Sequence, residues 1–444
     1  MKKIITYGTY DLFHEGHYNL LKNAKALGDY LIVGITSSDF DKNRGKLNVR
    51  DSLMTRIKHV EETGFADEVI VEEYFGQKID DIKKYNIDVF TVGSDWTGHF
   101  DYLNEYCEVI YLPRTKGVSS TILRNQNTVK IGIWGAEQIT FRFIDEAKFV
   151  SGIEVSCLYV DYDTSYKSEL LYVDGLELVD SEEEFFKNID AVYLSVPPVN
   201  QYTVIKRILN HGKHILCEFP VLMNKEELQN IRELASQKHC IFMEGIKTAY
   251  TPAFGKLVSL AKSGIIGNII SVDANFTQIN GNNLLKQIRI ANGGSVNALA
   301  SYPFLAFIKL LGTDYLDIQY FSRKNVDNID IFTKILVRYP KGIASSEVAI
   351  NAKSEGTLTI AGDKGYIYVP APWWKTEYFE VRFENVNDNR KYFYKFDGDG
   401  LRYEIAEFGR CILNKTESIL LTFEEISCIA ALIDKYNSDS VISI

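Results

Sequence analysis

The sequence predicts an α/β chain in three parts: a Rossmann-like domain over residues 1–127, a second Rossmann-type domain over 128–248, and an α+β open-sheet domain over 249–444. Three observations lead there. Short, near-continuous apolar runs alternate with amphipathic stretches, a second strand-into-glycine start follows a short polar linker, and after Pro252 the runs lengthen and begin to alternate. Strands buried on both faces of a parallel sheet read as continuous apolar runs, and the intervening helices supply the crossovers. A chain of 444 residues has material for two or three such cores.

In the first domain the expected strands are 3–7, 30–36, 68–71, 89–92 and 109–112, each a short apolar run. The expected helices are 17–27, 52–62, 77–84 and 119–125, each amphipathic. Ligands of such sheets sit beyond the carboxyl ends of the strands, which places segments 8–17 and 93–99 at one mouth. Val129-Lys130-Ile131-Gly132-Ile133-Trp134-Gly135 then begins afresh as strand, glycine turn and helix, with 155–161, 191–196 and 214–217 as further parallel strands. Segments 269–278, 331–339 and 356–360 alternate as strands of an open mixed sheet. The apolar stretch 422–436 is expected to form a last helix packed back on the body.

Composition narrows the function. Forty-nine basic against fifty-nine acidic residues leave a net charge of −10, which speaks against a nucleic-acid or anionic-membrane partner. A site for an anion has to be a local basic pocket on an acidic body. Hydrophobic residues at 46% and charged ones at 24% are ordinary for a soluble globular protein. The six cysteines contain no C-x-x-C pair, a reduced pattern that argues against zinc or a disulfide framework. The opening Met-Lys-Lys-Ile-Ile-Thr-Tyr-Gly is too short an apolar run for a signal peptide, and no stretch of about eighteen apolar residues occurs. A cytoplasmic location is expected.

His14-Glu15-Gly16-His17 is the most informative motif. Two imidazoles three residues apart, at the mouth of a loop opening a helix, can address one bound anion, and the N–H groups of that helix start add positive potential. A phosphate-bearing ligand is expected; the alternative is a pair of polar loop residues.

The motifs Gly8-Thr9-Tyr10-Asp11-Leu12-Phe13-His14-Glu15-Gly16-His17, Gly93-Ser94-Asp95-Trp96 and Arg114-Thr115-Lys116-Gly117-Val118-Ser119-Ser120-Thr121 occur in that order. Together they resemble the glycerol-3-phosphate cytidylyltransferase family over essentially all of residues 1–127. The resemblance implies transfer of CMP from CTP to a small polyol or sugar phosphate, with Mg²⁺ bridging the triphosphate and pyrophosphate leaving. A phosphate acceptor is already an anionic nucleophile, so no general base is required. Catalysis then consists of positioning plus cationic and N–H donors at the developing charge.

By this resemblance His14, His17, Lys46 and Arg114 are catalytic. Gly8, Thr9, Tyr10, Arg44, Gly93, Asp95, Thr115, Ser119, Ser120 and Thr121 hold the nucleotide, and Asp11, Arg56 and His99 face the acceptor. No side chain is expected to ligate a metal. Read without the family, Arg44-Gly45-Lys46 is equally a solvated basic turn, and Ser119-Ser120-Thr121 a plain helix cap. Ser120, Ser94 and Ser38 stand where relatives carry a threonine, an aspartate and an acidic residue. Loss of carboxylates near the acceptor points away from glycerol phosphate, toward another polyol or a ketose phosphate. By family analogy the CDP product feeds capsule or teichoic-acid-type polymers.

Residues 128–444 resemble the glucose–fructose oxidoreductase, inositol dehydrogenase and rhizopine catabolism family of NAD(P)-dependent enzymes. The matching stretches include Ile131-Gly132-Ile133-Trp134-Gly135, Ser195-Val196-Pro197-Pro198, Cys217-Glu218-Phe219-Pro220, Gly293-Gly294-Ser295 and Gly362-Asp363-Lys364-Gly365. The dinucleotide fingerprint needs glycines where the backbone meets a pyrophosphate, yet the frame here reads Gly135-Ala136-Glu137-Gln138-Ile139-Thr140. Phe219 stands for the family's lysine, and Leu299 and Pro303 for its aspartate and histidine. Leu and Pro cannot transfer a proton. Glu137, Phe219, Leu299 and Pro303 therefore mark a degenerate oxidoreductase that transfers no hydride, and NAD(P) binding is in doubt on the same grounds.

One runner-up is a bifunctional enzyme whose second half reduces a keto sugar, with Lys247 or Tyr302 substituting; another is an oligomerisation or regulatory module. Because an open sheet leaves a broad face and both families commonly pair, at least a homodimer is expected.

Overall fold

The computed structural model describes residues 1–43, 49–74, 76–113, 128–162, 176–221, 223–279, 294–438 and 441–444, with the backbone alone at 42 and 43. The chain divides into two compact units, Met1–Thr128 and Val129–Ile444.

The first unit is built on five strands: β1 Lys3–Gly8, β2 Tyr30–Thr36, β3 Glu68–Glu72, β4 Val89–Gly93 and β5 Glu108–Leu112. All pairings are parallel, in the order β3-β2-β1-β4-β5. Successive residues of a strand point to opposite faces, and the core divides accordingly. Ile4, Leu31, Val33 and Val89 join Leu21 and Val60 on one side, while Ile5, Ile32 and Phe90 join Ile82 and Leu103 on the other. The helices covering these faces include α1 Glu15–Lys25, α2 Ser38–Asn43, α3 Leu53–Glu62 and α4 Gln77–Tyr85.

Every strand the sequence predicts here is present, within a residue at either end. α1 starts two residues earlier than periodicity suggests because His14 caps it. α2 escaped prediction because it is too short for a pattern; the Ser37 hydroxyl accepts the Phe40 N–H at 3.1 Å and starts the turn. The helix expected at 119–125 lies outside the described residues. β1 sits between β2 and β4, where strand order reverses, so the loops after β1 and β4 diverge and leave a crevice at their carboxyl ends.

The second unit holds six parallel strands, β6 Val129–Trp134, β7 Ile153–Tyr159, β8 Glu177–Val179, β9 Ala191–Leu194, β10 His214–Glu218 and β11 Phe242–Gly245. Their order is β11-β10-β9-β6-β7-β8. A ten-stranded mixed sheet follows. Its strand Ile269–Ala274 pairs antiparallel with Leu358–Gly362 and parallel with Gly342–Ala349. The long strand expected at 269–278 breaks after Ala274, where Asn275 Oδ1 accepts the Glu347 N–H at 2.8 Å. Helix Ser301–Leu311 is buried along nearly its whole circumference. The last helix, Phe423–Ser438, packs on it, with Lys309 Nζ 2.7 Å from Glu425 Oε2. No helix among the described residues is long and apolar enough to cross a membrane.

Candidate functional site

The loop leaving β1 folds back sharply. A Cβ on Gly8 would lie 2.9 Å from the Tyr10 ring, so only glycine lets Tyr10 tuck under the strand end. Tyr10 and Leu12 both take left-handed backbone, at φ 54 and φ 48. Such conformations persist when their surroundings hold them, and they cluster at functional loops. Here the bracing is explicit. Asp11 Oδ1 accepts the N–H groups of Arg50 and Asp51 at 2.9 Å each, and the Leu12 N–H donates to Asp51 Oδ2 at 2.8 Å.

That geometry delivers the two histidines. His14 is the N-cap of α1, and its Nδ1 accepts the Gly16 N–H at 3.1 Å. Nδ1 being the acceptor, the neutral ring carries its proton on Nε2, which is thus a donor. The His17 ring lies 3.8 Å from the His14 ring at 16°, stacked, with Tyr10 edge-on at 5.4 Å. Two donor rings and a helix start converge at the crevice between β1 and β4.

From the other side, Gly93 ends β4 and caps the turn Ser94–Trp96. Asp95 and His99 are exposed there, with the His99 ring edge-on to Trp96 at 5.5 Å. Thr9 faces inward: its hydroxyl donates to Asp41 Oδ1 at 3.0 Å. Arg56 corrects the expectation that it touches the acceptor. It is fully buried, and its Nη1 reaches Asp41 Oδ2 at 3.1 Å, Thr9 O at 2.9 Å and Thr36 O at 2.8 Å. Its guanidinium ties the β1 and β2 loops together and supports the site from beneath. Asp41 and Asp51 are the supporting residues that sequence reasoning missed. Arg44, Lys46, Arg114, Thr115, Ser119, Ser120 and Thr121 lie outside the described residues. No group of His, Cys, Asp or Glu among the described residues is disposed to hold a metal ion.

In the second unit the turn after β6 contains Gly135 at φ 109, where a Cβ would fall 1.9 Å from Ser195 O. Glu137 caps helix Gln138–Ala147, and the Tyr162 hydroxyl lies 3.2 Å from its Oε1. Burial raises the Glu137 carboxyl above its ordinary range. At the ends of β10 and β11 lies a cluster of acids. Burial pushes Glu218 up to about 7 against the opposing pull of the Tyr193 hydroxyl bond and Lys247. Burial likewise pushes Glu244 up to about 8. Glu404 is held well above the carboxylate range by burial and by the charge of Glu218, and neither of its oxygens meets a hydrogen-bond partner among the described residues. Phe219 packs edge-on against Tyr302 at 5.0 Å, and Tyr302 against Phe276 at 5.1 Å. Leu299 and Pro303 are both buried.

Comparison with known proteins matches residues 5–126 to the cytidylyltransferase-like family and residues 129–246 to the oxidoreductase family with an NAD-binding Rossmann fold. The first segment is 52% identical over 124 residues to glycerol-3-phosphate cytidylyltransferase of Bacillus spizizenii, covering 28% of this chain and 95% of that protein. The second part is 26% identical over 246 residues to trans-1,2-dihydrobenzene-1,2-diol dehydrogenase of Bos taurus, covering 52% of this chain and 72% of that protein. In fold it is similar to a 3-ketoreductase from Actinomadura kijaniata in complex with NADP and TDP-benzene. The TM-score is 0.64 at 19% identity, covering 72% of this chain and 100% of that one.

Proposed function

The chain belongs to the cytidylyltransferase-like family through residues 5–126, and from that premise we propose that it transfers CMP from CTP to a small polyol or ketose phosphate. The observation that carries this is the stacked pair His14–His17, 3.8 Å apart at the start of α1 and at the strand-order reversal. The acceptor phosphate oxygen attacks the α-phosphorus of CTP, and the bond to pyrophosphate breaks. Nε2–H of His14, the His17 ring and the helix start offer donors where negative charge grows. Bound together with the triphosphate, Mg²⁺ would supply further neutralisation of its charge. By resemblance Lys46 and Arg114 complete the cationic set, Asp95 holds the nucleotide and His99 borders the acceptor side.

A coupled pyrophosphate-release assay with CTP and glycerol, ribitol, ribulose and fructose phosphates tests the proposal. Release with one of the last three and little with glycerol phosphate is the expected pattern; no release with any acceptor ends the reading. The second unit, on the same proposal, transfers no hydride. Phe219, Leu299 and Pro303 are packed apolar groups where the family's lysine, aspartate and histidine would act.

A bifunctional reading, with a keto sugar reduced before or after cytidylylation, draws on one observation, the titratable cluster of Glu218, Lys247 and Glu404. Stoichiometric oxidation of NADH or NADPH by keto-sugar phosphates, or by their CDP derivatives, would establish it instead.

A further inference from the structure

A dinucleotide-binding Rossmann fold seats the pyrophosphate at the helix following its first strand, against N–H groups of the glycine turn that have no other partner. In this chain the three consecutive amides of that turn are already engaged. The Gly135 N–H donates to Tyr159 O at 2.9 Å, the Ala136 N–H to Tyr162 Oη at 3.1 Å, and the Glu137 N–H to Thr140 Oγ1 at 3.1 Å. Tyr162 Oη also lies 3.2 Å from Glu137 Oε1 and 3.3 Å from Ser195 O. A hydroxyl has one proton, so Tyr162 accepts from Ala136 and donates to one of those two oxygens. Its hydrogen-bonding capacity is used inside the turn.

The ribose end is engaged as well. Trp134 Nε1 donates to Asp161 Oδ1 at 3.2 Å, and Arg207 Nη1 lies 3.5 Å from Asp161 Oδ2. The Arg207 guanidinium rests over the Trp134 ring at 4.9 Å. A dianion entering here would meet the Glu137 carboxylate and find the amides of Gly135, Ala136 and Glu137 already engaged. The residues present do not fit the group that the fold family implies.

We infer that Tyr162 and Glu137 seal the phosphate turn from within, so that this unit takes up no dinucleotide through it. The inference rests on the reading of the second unit as non-redox and moves its cause from chemistry to binding. Tyr162 is the decisive residue, since its oxygen occupies the position from which a pyrophosphate oxygen would accept the Ala136 N–H.

Titration of the full chain with NADPH and NADH, read by protein fluorescence and by melting temperature, tests the seal. The wild-type chain should give no saturable change up to about 1 mM dinucleotide. The double variant Glu137→Gly with Tyr162→Phe should saturate at least about tenfold lower. Glu137→Gln, which removes the charge and leaves the Tyr162 hydroxyl in place, should stay silent. If the double variant does not fold, Tyr162→Phe alone, which retains the helix cap, supplies the same readout. Wild-type saturation anywhere below about 1 mM overturns the seal. In that event, absence of oxidation with keto-sugar phosphates leaves the non-redox reading standing, whereas oxidation ends both. A folded opened variant that stays silent overturns the assignment to Tyr162 and Glu137.

Discussion

On the proposed reading His14 does two jobs with one ring: Nδ1 accepts the Gly16 N–H, which makes Nε2 the donor of the neutral ring. His14→Ala and His17→Ala should each lower turnover about 10²–10³-fold in the pyrophosphate assay, the usual effect of removing one donor to transition-state charge. The two differ in stability. His14→Ala also removes a helix cap, worth about 1 kcal/mol, so calorimetry should show a lower melting temperature for it than for His17→Ala. Near-normal turnover in either variant would make that histidine a bystander. The pair was legible in the sequence because both rings sit on one short motif. Arg56 was legible as important and misread as to role. Its partners Thr9, Thr36 and Asp41 are distant in sequence, and two of the contacts are to backbone oxygens, which no side-chain pattern reports. Breaking a buried pair by removing one partner leaves an uncompensated charge, so Asp41→Ala should destabilise the first unit by about 3–5 kcal/mol in chemical denaturation.

At the level of elements, strands were the readable part. Parallel strands buried on both faces are continuous apolar runs, and the sequence carries that signal directly. Short pieces set by one hydroxyl, such as α2, and breaks set by one amide, such as that at Asn275, carry no periodicity to read. The turn after β6 shows how a single position can govern an element. Gly135→Ala would force a Cβ to within 1.9 Å of Ser195 O on a backbone of positive φ. A loss of about 2–5 kcal/mol from combined strain and overpacking is expected in the second unit, measured by its unfolding midpoint. An unchanged midpoint would mean that β6 and β9 separate easily there, contrary to their tight register.

For the molecule as a whole, the acid cluster of the second unit sets a pH dependence. Glu218 at about 7 and Glu244 at about 8 hold protons in the folded chain that the unfolded chain has released. Where the folded state binds more protons, stability falls as pH rises. The second unit should therefore lose stability progressively between about pH 5 and pH 8. Glu404→Gln should flatten part of that slope, because an amide has no charge to bury. Thermal unfolding at several pH values checks both; a rising stability across the window would contradict the buried placement of these acids. Light scattering should find at least a dimer, and a particle of 50.6 kDa at micromolar concentration would refute that assembly.

Helix Ser301–Leu311 has one more consequence, which lies in time. It is apolar around nearly its whole circumference, and one of its covers, Phe423–Ser438, is more than a hundred residues downstream. A ribosome adds about 5–20 residues per second. For many seconds, then, each nascent chain carries a greasy rod with part of its sheath not yet made. The first unit, drawn from one continuous stretch, has no such wait. During synthesis the first unit, Met1–Thr128, is thus complete while the second still waits for its last helix.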